Sequence, residues 1–430
     1  MIVKNTTILS FYDLSIRKNT DILIEGNRIK KIGKNLLGPG EVIDGSRFYL
    51  IPGMVNTHAH TAMTLLRGAA EDVNINDWFN KYIWIYEKNL TPEDVYIGTL
   101  IGSAEMLLSG VTFVADHYFY MDKAYQAYEE IGIRADLSWA VFGVGDDWEE
   151  EFNKALKFTE DYRDKNSRLH VSLGPHSPYI CPDSFLKNVA AKAQELNLKM
   201  HIHVSEEENQ VIRSLKERKM TPVEILKNTG ILREGTILAH AYYATDEDLK
   251  LIKQSKSGIA HCAKTYMKFG DIHNFLPRVL EFGISCGLGT DGPCSNNTMN
   301  IFEVARDAAL LAKSSMKDPE IAKIHEILPL LTRGGEVLGI KNYGVIEKGS
   351  IADLVLINPN TPNMHPENNI FANILYSLSE KNIDTVIVDG KIVVRNGKLL
   401  NINLEKLYKQ SDKILKRLAQ KVQGKPMQEY

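Results

Sequence analysis

Eight short apolar segments, spaced by helical stretches, constrain the fold of this 430-residue chain more than any other feature. They are "GMVNTH" from residue 53, "VTFVADH" from 111, "ADLSWAVF" from 135, "LHVSLGPH" from 169, "KMHIHVSE" from 199, "TILAH" from 236, "SGIAHC" from 257 and "ISCGLGTD" from 284. Helical patterns separate most of them, as in "PEDVYIGTLIGSAEMLLSG" (92–110) and "SFLKNVAAKAQELN" (184–197). Strand-length runs alternating with helices argue for parallel strands joined by crossover helices. Eight such units predict a (β/α)8 TIM barrel over residues 53–344. The flanks read differently. Residues 1–52 and 345–400 hold short strands with turn signals at Gly26-Asn27, Asp389-Gly390 and Asn396-Gly397. Both chain ends are therefore expected to build a small β-sandwich domain, its N-terminal part at 1–52 and its C-terminal part, with a terminal helix, at 345–430. That helix, charged and amphipathic from about residue 404, is expected to pack as a brace.

A barrel of this kind builds its chemistry at the C-terminal ends of its strands, and here those ends are rich in histidine. The first carries His58 and His60, the second Asp116-His117, the fourth His176, and the fifth His201 and His203 with Glu206 beyond. The sixth ends in His240, the seventh in His261 and the eighth in Asp291. Residues i and i+2 of a strand share a face, so His58 and His60 can converge on one point. A lone histidine is usually a satisfied structural residue. Recurrence at so many equivalent ends is hard to explain by packing. Two histidines from the first strand, one from the fifth and an aspartate from the eighth make a nitrogen and oxygen set suited to a zinc or iron(II) ion that keeps a position open for water.

Charge and composition narrow the partners. A formal net charge of −3 gives no footprint for nucleic acid or an anionic membrane, so a small molecule is expected. No uncharged apolar run approaches the ~20 residues of a membrane span, and the N-terminus lacks the pattern of a signal peptide. The four cysteines, Cys181, Cys262, Cys286 and Cys294, form no CxxC pair and read as buried hydrophobes of a reduced, cytoplasmic protein. A homo-oligomer is left open.

Several motifs then bear comparison with a known family: "PGMVNTHAHTAMTLLRG" (52–68), "LGPHSPY" (173–179), "HIHVSE" (201–206), "LAH" (238–240), "GLGTDGPCSNN" (287–297) and "GSIADLVLI" (349–357). In these, and in their order, the chain resembles the amidohydrolase superfamily, and within it the branch of aminohydrolases that includes the 5'-methylthioadenosine/S-adenosylhomocysteine deaminases. The resemblance implies metal ligands at His58, His60, His203 and Asp291, and makes His201 a neighbour of the site. The two-metal members use a lysine at the end of the fourth strand; "RLHVSLGPHSP" (168–178) has none, so one divalent metal is expected, zinc first and iron(II) second. It further implies catalytic roles for Glu206, which would protonate a ring nitrogen, for His240, which would polarise the attacking water, and for Asp291, which would accept the water's proton. His176 would touch the substrate ring.

The substrate is less constrained. Glu87 stands where related nucleoside deaminases hold ribose hydroxyls, and Trp139 falls where they can use an arginine for an amino-acid tail. An indole cannot pair a carboxylate as a guanidinium can. Other departures surround the pocket. Ala241-Tyr242-Tyr243 replaces Cys-Val-His, "HCAKTYMKFG" (261–270) replaces an Asn-rich stretch, and Asp116-His117 replaces Asp-Met. Lys264 and Lys268 in that stretch would suit an anionic substrate if they pointed inward; solvent-facing lysines are the simpler expectation. Three functions stay open: a metal-dependent deaminase of an aminated purine, adenine nucleoside or related N-heterocycle; a hydrolase of the same scaffold acting on a triazine, pterin, guanine-like base or cyclic amide; and a non-catalytic barrel used for binding.

Overall fold

The protein is described by a computed structural model covering residues 1–422. Eight parallel strands form one sheet: β1 (Met54–Ala59), β2 (Val111–Tyr118), β3 (Arg134–Val141), β4 (Leu169–Pro175), β5 (Met200–Val204), β6 (Thr236–His240), β7 (Gly258–His261) and β8 (Cys286–Leu288). Each pairs with the next in sequence. The last is drawn back to the first where Ala59 and Asp291 pair, the Asp291 N–H donates to the His58 carbonyl at 3.0 Å, and the Thr57 hydroxyl donates to the Leu288 carbonyl at 2.9 Å. The expected (β/α)8 barrel is present. All residues of β1, β2 and β3 are buried, as parallel strands with helices outside and side chains inside must be. Helix starts follow from local chemistry. Thr91, Thr221 and Thr245 each accept from the backbone three residues on, and Asp94, Glu224 and Asp248 return the bond to the cap.

Both chain ends meet in a second, mixed sheet of nine strands. Its seam is the antiparallel pair Tyr49–Pro52 and Leu354–Ile357, with Leu354 opposite Pro52 and Ile357 opposite Tyr49. Val3, Ile22, Ile24, Leu50, Leu354 and Ile387 fill a core of its own. Helix Leu404–Lys421 buries Leu407, Ile414 and Leu418, and Arg417 pairs with Asp94 at the start of helix Pro92–Leu108, so it braces the barrel. No helix among the described residues is long and apolar enough to cross a membrane.

Arg134, the first residue of β3, ties the two sheets together. Its guanidinium makes bonds of 3.0 and 3.1 Å to both oxygens of Asp353 and one of 2.8 Å to Asp389, and it is only 2% exposed. The site-bearing ends of the strands lie at the other end of β3. Removing one partner of a buried ion pair leaves the other uncompensated, at a cost of about 3–5 kcal/mol. Arg134→Ala is expected to lower the unfolding midpoint accordingly, measured by urea titration followed by circular dichroism, whereas a substitution of exposed Arg28 should not.

Candidate metal centre and active site

Backbone geometry aims the polar side chains. Ser205, His240, Ala241 and Asp291 follow or end their strands with positive φ (46°, 73°, 53° and 59°). That conformation is uncommon for residues other than glycine and is held in place only by its surroundings. It turns the chain sharply at β5, β6 and β8, so His240 and Asp291 face the barrel axis. Register completes the placement: Ala239 pairs with His203, and His240 with Val204.

The donor set then follows from hydrogen bonds. A carbonyl can only accept. His60 Nδ1–H therefore donates to the His117 carbonyl at 2.5 Å and His203 Nδ1–H to the His176 carbonyl at 2.9 Å. The remaining Nε2 atoms are lone pairs, and they face one another at 3.2 Å. Two lone pairs at that separation repel unless a proton or a cation lies between them. Burial and the surrounding imidazoles hold His203 well below the usual histidine range, which disfavours a proton on that ring. His58 is held down in the same way, and its buried Nε2 has no hydrogen-bond partner. That atom lies 3.5 Å from Asp291 Oδ1, and His60 Nε2 lies 3.4 Å from the same oxygen. The ligand atoms of His58, His60 and His203 all fall within 4.8 Å of one another, as do those of His58, His240 and Asp291. This chemistry fits a divalent cation, which His58, His60, His203 and Asp291 could hold.

Neighbours fix these groups. His201, two residues before His203 on the same face, meets His58 Nδ1 through its Nε2 at 2.8 Å; burial pushes it down to about 3, so it meets His58 as a neutral ring. Asp291 Oδ2 accepts from Ser295 at 2.8 Å and from Thr265 at 3.1 Å, leaving Oδ1 for the centre. Glu206 accepts from the Tyr179 hydroxyl at 3.2 Å, and its other oxygen is 3.6 Å from His240 Nε2. Burial and the Glu206 charge push the neighbouring Glu207 carboxyl up to about 7.

Above the centre opens a cavity of about 270 Å³. Of the residues expected at the site, His60, Glu87, His176, His203, Glu206, His240 and Asp291 line it. His176 stacks on Phe142, with ring centroids 4.7 Å apart and 21° between planes. Glu87 is buried, and burial raises its carboxyl; Tyr118 donates to its Oε1 at 2.7 Å. Tyr118, Tyr179, Thr265 and Ser295 were not foreseen, though Tyr118 directly follows the unusual Asp116-His117 pair. Trp139 does not line this cavity. The indole turns outward onto Phe158, with centroids 5.6 Å apart, and borders a neighbouring cavity with Lys88 and Lys154; Ala140 is the strand residue that lines the main pocket. The lysines are paired rather than free: Lys264 with Glu303 at 2.8 Å and Lys268 with Glu71 at 2.6 Å. From the stretch 261–270, Phe269 reaches the cavity.

Residues 49–393 match the model of the amidohydrolase family. A 5-methylthioadenosine/S-adenosylhomocysteine deaminase of Pyrococcus furiosus is 38% identical, over 97% of this chain and 99% of its own. A 5'-deoxyadenosine deaminase of Methanocaldococcus jannaschii is 38% identical, over 92% and 96%. Among solved structures, an adenosine deaminase from Xanthomonas campestris with bound zinc superposes with a TM-score of 0.93 at 24% identity, covering 97% of this chain and 98% of that one. An atrazine chlorohydrolase from Arthrobacter aurescens superposes at 0.89 and 23%, covering 96% and 99%; these two likenesses carry the fold alone.

Metal analysis of the purified protein is expected to give close to one zinc or iron per chain, with most of it lost in His203→Ala and retained in Glu206→Gln. Two tightly held ions per chain, or loss from Glu206→Gln, would contradict the ligand set.

Proposed function

This chain belongs to the amidohydrolase family, and from that premise we propose that it is a metal-dependent deaminase of adenine nucleosides carrying an uncharged 5' substituent, releasing ammonia. The observation that carries the reading is the meeting of three imidazole lone pairs and Asp291 beneath a cavity that also holds Glu206 and His240. A divalent ion, zinc by the donor set, would sit among His58, His60, His203 and Asp291 and would make hydroxide available at neutral pH by acidifying water to a pKa of roughly 7.

The chain's own groups supply the remaining steps. Addition of hydroxide to the amine-bearing ring carbon pushes an electron pair onto the adjacent ring nitrogen, and the Glu206 carboxyl delivers a proton there. Asp291 takes the proton that the water gives up. His240 lies close enough to Glu206 to contact the attacking oxygen and stabilise its charge. Asp291 passes the proton it holds to the amino group, the added hydroxyl returns its own proton to the Glu206 carboxylate as the ring carbonyl forms, the carbon–nitrogen bond breaks, and ammonia leaves. His176, stacked on Phe142, is placed against the face of the ring. Glu87 has one oxygen occupied by Tyr118 and its other available to accept ribose hydroxyls.

The walls favour the uncharged substituent. Trp78, Phe79, Trp84, Phe119, Phe142 and Phe269 line the cavity, and every charged side chain among its described lining residues is acidic: Glu87, Glu206, Glu207 and Asp291. A carboxylate-bearing tail would meet no cation there, and burying an unpaired charge is costly.

Ammonia release across a panel of adenine nucleosides, free bases, pterins and triazines tests the function. 5'-Methylthioadenosine is expected to be used with a higher kcat/KM than S-adenosylhomocysteine. Equal use of the two would place the tail in the neighbouring cavity with Lys88 and Lys154, and turnover of a pterin or triazine alone would overturn the nucleoside assignment. Glu206→Gln should reduce kcat by roughly 10²–10⁴. Glu87→Ala should raise KM for the nucleoside and leave turnover of the free base nearly unchanged; equal damage to both would make Glu87 structural.

A further inference from the structure

Two loop stretches, 241–243 after β6 and 261–270 after β7, are far apart in sequence and meet in space. The Tyr242 and Tyr266 rings stack face to face, with centroids 3.6 Å apart and 10° between planes. Both are buried, at 0% and 3% exposure. The Tyr242 hydroxyl receives the His273 N–H at 2.8 Å. The Tyr266 hydroxyl stands 3.1 Å from His240 Nδ1.

Which group donates in that last contact decides what His240 can do. Burial keeps the Tyr266 phenol well above its ordinary range, so it retains its proton. A buried O–H needs an acceptor, and among the described residues His240 Nδ1 is the partner of this one. Tyr266 therefore donates, and Nδ1 is the bare nitrogen of the imidazole. In a neutral ring the proton then sits on Nε2. That nitrogen points to the pocket, 3.6 Å from Glu206 Oε1.

We propose that Tyr266, seated by Tyr242, is a positioning residue that fixes His240 as its Nε2–H tautomer. His240 then enters the pocket as a hydrogen-bond donor through Nε2. It can hold the attacking oxygen and stabilise charge on it, and it is not the base, which leaves proton acceptance to Asp291. The inference deepens the function proposed above and rests on it for the kinetic arm of its test.

The structural arm stands alone. In zinc-loaded protein labelled with 15N at histidine, with His240→Gln used to assign the signal, His240 is expected to show a protonated Nε2 and an unprotonated Nδ1. In Tyr266→Phe, which keeps the stacked ring and removes only the hydroxyl, the signal should shift toward the other tautomer. In the kinetic arm, Tyr266→Phe should keep its metal and its KM for 5'-methylthioadenosine while kcat falls roughly 10–100-fold, the scale on which removal of a histidine's hydrogen-bond partner acts. A protonated Nδ1 in the wild type, or a Tyr266→Phe variant with unchanged spectrum and kcat, overturns the inference. If no adenine compound released ammonia, the function above would fall and the tautomer spectrum would still decide this one.

Discussion

Three imidazoles brought together with their lone pairs facing inward form an arrangement that a protein cannot hold cheaply by itself. His60 and His203 commit their Nδ1 protons to carbonyls at the ends of β2 and β4, and His58 meets His201. Each fixed Nδ1 proton turns the opposite nitrogen of its ring into an acceptor aimed at the same point. Burial disfavours a proton on five of the surrounding rings: His58, His117 and His203 are held well below the usual range, and His176 and His201 are pushed down to about 3. Neutral histidines repel less than charged ones would, yet the lone pairs still need a cation. The strained turn at Asp291 makes sense in that setting, since it brings the carboxylate to that point.

The same logic explains why so much of the centre could be read from sequence. Ligands at strand ends have to recur at equivalent places in a repeating β/α pattern, and strand alternation put His58 and His60, like His201 and His203, on one face. The two histidines of β5 differ only in depth, and depth decided their roles: His203 faces His60, while His201, deeper in the barrel, contacts His58 from behind. The partners of these residues were not legible. Tyr179 on Glu206, Tyr118 on Glu87 and Ser295 on Asp291 come from other loops, and no spacing rule links them.

Trp139 shows how narrow the margin is. Side chains of a strand alternate between faces, so a shift of one residue moves a side chain from the pocket to the helix layer. Matching by sequence position chose Trp139, whereas Ala140 and Phe142 face the cavity. Lys264 and Lys268 raised the opposite difficulty, because a lysine's reach makes its direction unreadable without its partner. The structure gives Lys264 to Glu303 and Lys268 to Glu71, and neither lines the pocket.

That second pairing connects the altered stretch after β7 to the segment that forms the cavity's outer wall. Residues 71–90 contribute Ile75, Trp78, Phe79, Trp84 and Glu87 to the pocket and contain a π-helical turn at Trp78–Ile83, a form that occurs often at functional sites. The wall is tethered from one side: Lys268 holds Glu71, Phe269 meets Trp78 edge to face at 5.7 Å, and the Trp78 indole N–H donates to the Cys294 carbonyl at 3.2 Å. The stretch 261–270 thus acts in two directions, with Tyr266 turned toward His240 at the floor and Lys268 and Phe269 turned toward the wall. Changes in that stretch can alter the pocket's shape while the metal-facing atoms at the strand ends stay where the barrel puts them. Chemistry and specificity are carried by different parts of the fold: the strand ends hold the polar groups of the centre, and the loops after them shape the pocket.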